Sequence, residues 1–132
     1  MKPLLEMLES ARQCDEVLSC LFGLNSLETE IYFFLLGKEM DIKTLASVVE
    51  RERSVVYRSL QKLIYSNLCR KKKKVFPRGG YYFVYSSVEP EKVKEFILKK
   101  LKRMEEHLQM VLGEFEEKVR ERKELFKRKK EL

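Results

Sequence analysis

The residues with the most chemical capacity in this 132-residue chain are its cations, and they are crowded together. Between positions 51 and 80 stand Arg51, Arg53, Arg58, Lys62, Arg70, Lys71, Lys72, Lys73, Lys74 and Arg78 against the single anion Glu52, a local balance of +9. The remaining positions hold 18 cations and 20 anions, so the whole-chain excess of +7 comes from that one stretch. Guanidinium and ammonium groups at this density neutralise phosphates, and the chemistry they nominate is binding of a nucleic-acid backbone. Side chains for making and breaking bonds are scarce. His107 is the one histidine. It stands beside Glu105 and Glu106 with no companion ligands at metal spacing, and reads as a solvent-facing residue. Cys14, Cys20 and Cys69 fit neither a CxxC knuckle nor a secreted disulfide framework, and read as core or interface residues. No phosphate-cradling glycine loop, zinc-protease pair or nucleophile triad is present. The chain is therefore expected to bind rather than catalyse, with no cofactor and no metal.

The elements that must position the cations follow from apolar periodicity. Leu4, Leu8, Ala11, Cys14, Leu18 and Leu21 step by three and four, which predicts one amphipathic helix over 3–22, ended by Gly23. Asn25 followed by Glu28 has the spacing of a capping box and opens a helix whose Ile31, Tyr32, Phe34, Leu35 and Leu36 are apolar over a wide arc, with Gly37 as its stop. Asp41 can cap the next helix, whose buried side is Leu45, Ala46, Val48 and Val49. The tight turn Glu50-Arg51-Glu52-Arg53 leads to a further helix over 53–67. There Val56, Leu60, Leu63 and Ile64 should face inward, leaving Ser54, Val55, Arg58, Gln61 and Lys62 outward. Two helices joined so tightly form a helix-turn-helix. Residues 70–76 and 81–87 are short β-like runs divided by Pro77-Arg78-Gly79-Gly80, the punctuation of a hairpin. Its aromatics Tyr81, Tyr82, Phe83 and Tyr85 are expected to pack the hairpin against the domain. Pro90 then suits the first turn of a long last helix. Val93, Ile97, Leu101, Met104, Leu108, Val111, Phe115 and Val119 step along it almost as a heptad seam, which a domain of this size cannot cover by itself.

The fold class expected is mainly α with a small β-hairpin wing: a winged helix-turn-helix flanked by an N-terminal helix and a long C-terminal coiled-coil-like helix. The organisation follows as an N-terminal dimerisation helix over 1–23, a DNA-binding domain over 24–88 and a C-terminal dimerisation helix over 89–132. The opening stretch soon meets Glu6, Glu9, Arg12 and Asp15, unlike a signal peptide, and no apolar run approaches membrane-spanning length. A cytoplasmic protein with no membrane partner is expected.

Gly23-Leu24-Asn25 with Glu28, Ile31-Tyr32 and Leu35-Leu36, then Leu45-Ala46 with Arg53 through Leu60 and Leu63, then the hairpin leading into Val88-Glu89-Pro90-Glu91, carry a family likeness in their order and spacing. Over this half of the chain the sequence resembles the DNA-binding domain of archaeal TrmB-type regulators, and more distantly the MarR and ArsR winged helices. The resemblance implies a transcriptional regulator that binds double-stranded DNA. It does not bring the sugar-binding domain of full-length TrmB regulators, since one helix follows the wing here, so sugar sensing is not expected and an effector is left unassigned.

By that pattern Arg53, Ser54, Val55 and Arg58 lie nearest the bases, with Tyr57 and Lys62 toward the backbone. Arg51 in the turn, Lys71, Lys72, Lys73 and Lys74 on the wing, and Arg78 at its tip are the further candidates. In a strand alternate lysines point to opposite sides, so about half of that run can face one phosphate backbone. Leu4, Leu8, Ile97, Leu101, Met104, Leu108, Val111, Phe115 and Val119 are the candidate homodimer contacts. Two other readings stay open: an architectural DNA-coating protein without sequence preference, and a winged helix turned to protein interaction.

Overall fold

A computed structural model of the chain describes residues 3–131, so the first two residues of the expected N-terminal segment and the last residue of the C-terminal one lie outside it. The chain divides into two compact units, Met1–Val93 and Lys94–Leu132.

In the first unit the single helix expected over 3–22 is two helices, α1 (Leu4–Ser10) and α2 (Cys14–Phe22). The apolar stripe runs on in register, but Ala11 leaves the helix at ψ 126°. Side chains take over the orphaned carbonyls of the last turn: Ser10 Oγ donates to Met7 O at 3.1 Å and Arg12 donates to Glu9 O at 2.7 Å. Asp15 and Glu16 then supply the first turn of α2 with the negative charge a helix start favours. Of the six stripe residues only Leu18 is buried. Gly23, at φ 65°, terminates α2 as a left-handed cap.

Helix α3 (Ser26–Phe34) opens on the expected capping box: Glu28 N donates to Asn25 Oδ1 and Asn25 N donates to Glu28 Oε1, both at 2.8 Å. It buries Ile31 and Tyr32, and Leu35 just beyond it is fully enclosed. Helix α4 (Ile42–Val49) is capped by Asp41, whose carboxylate accepts Thr44 N–H at 2.8 Å. That bond holds the Asp41 carboxyl below its ordinary range. α4 buries Leu45 and Ala46, whereas Val48, expected inside, is 45% exposed. Glu50 closes α4 in the left-handed region at φ 56°, and Arg51 N–H reaches back to Ala46 O at 3.1 Å. Helix α5 (Arg53–Tyr65) follows at once. Val56, Ser59, Leu60 and Leu63 form its buried stripe, so small Ser59 takes the place expected for Ile64, which is only half-buried.

Asn67, left-handed at φ 62°, turns the chain out of α5 and Leu68 N–H bonds back to Leu63 O. The hairpin β1 (Cys69–Val75) and β2 (Tyr81–Ser87) pairs Cys69 with Ser87, Lys71 with Tyr85, Lys73 with Phe83 and Val75 with Tyr81. Its turn needs positive φ at Gly79 (98°) and Gly80 (84°), a conformation that costs glycine nothing. Met40, just before α4, adds a one-residue bridge to Tyr85, with bonds of 3.0 and 2.7 Å. At the hairpin base Ser87 Oγ donates to Tyr32 O at 2.6 Å and Tyr32 Oη donates to Val88 O at 3.1 Å. These bonds fasten the hairpin to α3, and Ile31, Leu35, Leu45, Val56, Leu60, Leu63 and Leu68 fill the core between them. The result is a helix-turn-helix with a wing, as the periodicity indicates.

Helix α6 (Pro90–Gly113) begins in this unit, where it buries Val93, and runs through the second. The continuous last helix expected to 132 is interrupted at Glu114. There Glu114 N–H shortens its bond to Val111 O, and α7 (Phe115–Glu131) resumes with Lys118 N–H on Glu114 O. The only glycine of this region, Gly113, sits at that joint. From Leu98 to Lys130 every described side chain is exposed, so α7 does not fold back to cover α6. No helix among the described residues is long and apolar enough to cross a membrane.

Candidate nucleic-acid interface

Helix α5 presents its first turn to solvent. Its N-cap residue Glu52 makes no side-chain cap bond, and Arg51, Arg53, Ser54 and Arg58 are all exposed. Outward placement of Ser54 and Arg58 follows from the helical spacing that sends Val56, Leu60 and Leu63 inward. Val55, expected outward, is half-buried, and Tyr57 stands 47% exposed. The charge of Arg53 reaches Asp41 and helps lower its pKa, but no carboxylate among the described residues comes within ion-pair distance of Arg53.

Lys62 has a different position from its companions. Its ammonium donates to Glu28 Oε1 at 2.9 Å and to Gly23 O at 2.7 Å, closing the α2–α3 corner onto α5. Helical spacing correctly turns Lys62 away from the core, yet its charge is consumed by a carboxylate 34 positions earlier.

On the wing the register sorts the lysines into two sets. Lys71 and Lys73 share a face with Tyr81, Phe83 and Tyr85, while Arg70, Lys72 and Lys74 lie on the other. Lys71 Nζ sits 3.9 Å from the centre of the Phe83 ring, and Lys73 Nζ 4.2 Å from that of Tyr81. These diagonal stacks hold the ammonium groups in place without neutralising them. On the opposite face Arg70 makes a two-pronged bond to Glu89 at 3.1 and 2.9 Å, and Lys74 lies 3.6 Å from Glu39. The Arg70 guanidinium holds the Glu89 carboxyl down to about 2. Arg78 is exposed at the tip beside Gly79. Aromatic packing of the wing against the domain, expected of four residues, is the work of Tyr85 and in part Phe83, while Tyr81 is 58% exposed and Tyr82 stacks on Phe76 at 4.6 Å.

Of the ten cations between 51 and 80, Lys62, Arg70 and Lys74 are ion-paired within the chain. Arg51, Arg53, Arg58, Lys71, Lys72, Lys73 and Arg78 have no carboxylate partner among the described residues. A one-signed set of exposed cations on a helix start and a wing concentrates counter-anions and favours a polyanion. The intramolecular partners Glu28, Glu39 and Glu89 could not be read from the sequence, because each is brought to its cation by tertiary packing. The lysine–aromatic stacks could have been: a hairpin register fixed by the Gly-Gly turn sets cations and rings diagonally opposite.

The remaining candidates for chemistry are dispersed. Cys69 is enclosed, and burial pushes its thiol up to about 11, opposed by its contact with Ser87 Oγ at 3.6 Å. Cys14 is exposed and Cys20 half-buried, and His107 is exposed in the second unit. Among the described residues no group of three or more His, Cys, Asp or Glu could hold a metal ion.

Comparison with known proteins bears on the same segment. The family model described as sugar-specific transcriptional regulator TrmB matches residues 18–91. An uncharacterized protein of Methanocaldococcus jannaschii, MJ1503, is 33% identical over 86 residues, which span 64% of this chain and 65% of that protein. A second protein of that organism, MJ1082, is 30% identical over 84 residues, 63% of this chain and 69% of that one. Among solved structures, a possible transcriptional regulator from Methanosarcina mazei Go1 superposes with a TM-score of 0.64 at 20% identity, covering 78% of this chain and 88% of that one. The ST1889 protein of Sulfolobus tokodaii gives 0.53 at 23% identity, covering 69% and 90%. At these identities the two structures are alike in fold.

Proposed function

The chain belongs to the TrmB family of transcriptional regulators, and on that premise we propose that it binds a specific double-stranded DNA site as a two-fold symmetric homodimer. Residues 24–88 make the DNA contacts, and the segments 1–23 and 89–132 carry the pairing. The start of α5 enters the major groove, with Ser54 and Arg58 on base edges and Arg53 and Val55 beside them, while Arg51 and Tyr57 lie along the backbone. The wing follows the neighbouring backbone through Lys71 and Lys73, with Arg78 at the minor groove. Lys62 leaves this set, being engaged by Glu28.

The observation that carries this reading is the separation of cations into paired and unpaired. Seven that face solvent on α5, the preceding turn and the wing keep their charge free of any carboxylate among the described residues. A merely solvated charged surface has no reason to segregate them so. The seam of exposed apolar residues on α6 and α7 supports pairing with a second copy, because Leu101, Met104, Leu108, Val111, Phe115 and Val119 are each 41–53% exposed in the single chain.

Selection of bound fragments from a random DNA pool tests it. Enrichment of a two-fold symmetric motif is the expected result. A pool retained without enrichment, and displaced by salt alone, would replace this reading with an architectural one. No retention at physiological salt would replace it with a protein-interaction role.

A further inference from the structure

The seam of α6 and α7 is mirror-symmetric in residue type. Ile97 and Phe115, Leu101 and Val111, and Met104 and Leu108 are apolar pairs equidistant from position 106. On one flank Lys100 and Glu114, of opposite charge, are equidistant from 107; on the other, Leu98 and Leu112 are equidistant from 105. A shift of one residue either way is what two flanks of an antiparallel helix pair require, since one flank runs a residue ahead of the core layers and the other a residue behind. Leu98 and Leu112 are 56% and 59% exposed, and the three apolar core pairs are otherwise covered only in part at Ile97.

The exposed leucines separate the two orientations: an antiparallel pair lays Leu98 of each copy against Leu112 of the other, whereas a parallel pair keeps them apart. Charge serves both, since Lys100 meets Glu114 in the antiparallel pair and Glu105 in the parallel one. The antiparallel pair also brings the two Glu105 side chains together, a like-charge contact that the leucine match outweighs. We propose that two copies of this chain pair antiparallel through α6 and the start of α7, centred near position 106, with Lys100 of each copy against Glu114 of the other. This rests on the dimer reading above and adds its orientation and register. The rival parallel pair would set Lys100 against Glu105 of the second copy and bury Leu112 beside His107.

Cross-linking separates the cases in a Cys14→Ser, Cys20→Ser background, with the enclosed Cys69 left in place. In the antiparallel pair the two copies of position 101 lie about 15 Å apart along the axis, from ten residues at 1.5 Å each. A disulfide needs Cα atoms within about 7 Å. Leu101→Cys and Val111→Cys should therefore each stay monomeric on a non-reducing gel, and an equal mixture should give a disulfide-linked dimer. Dimers from either variant alone, in a protein that light scattering shows to be dimeric, would overturn the orientation and leave the dimer standing. A monomer mass for the unmodified protein would overturn the dimer reading itself. As a second readout, dimer affinity lost in Lys100→Glu should be restored by Glu114→Lys; restoration by Glu105→Lys instead would establish the parallel pair.

Discussion

Lys62 Nζ lies 2.9 Å from Glu28 Oε1, and this one contact links α5, the helix proposed to read DNA, to the capping box of α3. The Glu28 side chain is 7% exposed and spends its other bond on Asn25 N–H, so the lysine is what neutralises a nearly enclosed carboxylate. Lys62→Ala should destabilise the fold by about 2 kcal/mol. That lies below the usual 3–5 for a fully buried pair because the ammonium itself is 41% exposed. The salt dependence of DNA binding should not change. Thermal unfolding and a salt titration check the two halves separately: an unchanged melting temperature with a shallower salt slope would return Lys62 to the phosphate-binding set.

The two faces of the wing should behave differently. Lys71 and Lys73, propped over Phe83 and Tyr81, have no carboxylate partner among the described residues, whereas Lys74 is partnered by Glu39. At roughly 0.9 per phosphate contact, Lys71→Gln with Lys73→Gln should reduce the log–log salt slope of a dimer by about 3–4. Lys74→Gln should leave it nearly unaltered. Equal losses from the two faces would mean that the wing meets DNA edge-on.

These contrasts mark where the amino-acid sequence was legible. The capping box at Asn25 and Glu28, the Asp41 cap and the Gly79-Gly80 turn are bonds between near neighbours, and residue type alone announces them. Helical period likewise placed Val56, Leu60 and Leu63 inside and Arg58 outside. Periodicity failed at Ala11, because a stripe can continue in phase across a break that Ser10 and Arg12 make by capturing backbone carbonyls. It failed again at Val48, whose apolar side chain sits beyond the edge of the core. The sorting of cations was hidden for a third reason: outward direction is a property of the helix or strand, but the carboxylate that meets Lys62, Arg70 or Lys74 comes from elsewhere in the fold.

The Arg70–Glu89 bond gives the wing a pH dependence. Arg70 holds the Glu89 carboxyl at about 2 against an ordinary 4.5, so the folded state favours the ionised form. For a depressed carboxylate the stabilisation is full above 4.5, declines as pH falls below it and is gone near 2. The melting temperature of the wild type should exceed that of Glu89→Gln at pH 7 in low salt, and the two should converge between pH 4.5 and 2. Both residues are solvent-exposed, so added salt should shrink the difference. A gap that stays constant across the acid range would show that Glu89 acts through packing rather than charge.

Arg58 offers the sharpest test of sequence reading. It is exposed one turn beyond Ser54 on the same side of α5, and no carboxylate among the described residues engages it. A guanidinium so placed can bond two acceptors on a guanine edge, an interaction that positions and discriminates at once. Arg58→Ala should weaken binding to a selected site by about 1–3 kcal/mol and relax preference at one base position in each half-site. Arg58→Lys should keep part of the affinity, since the charge remains, but not the discrimination, since the planar fork is lost. Binding of the Ala variant to all sequences, weakened by one common factor, would place Arg58 on a phosphate. The base contacts would then fall to Ser54 and its neighbours.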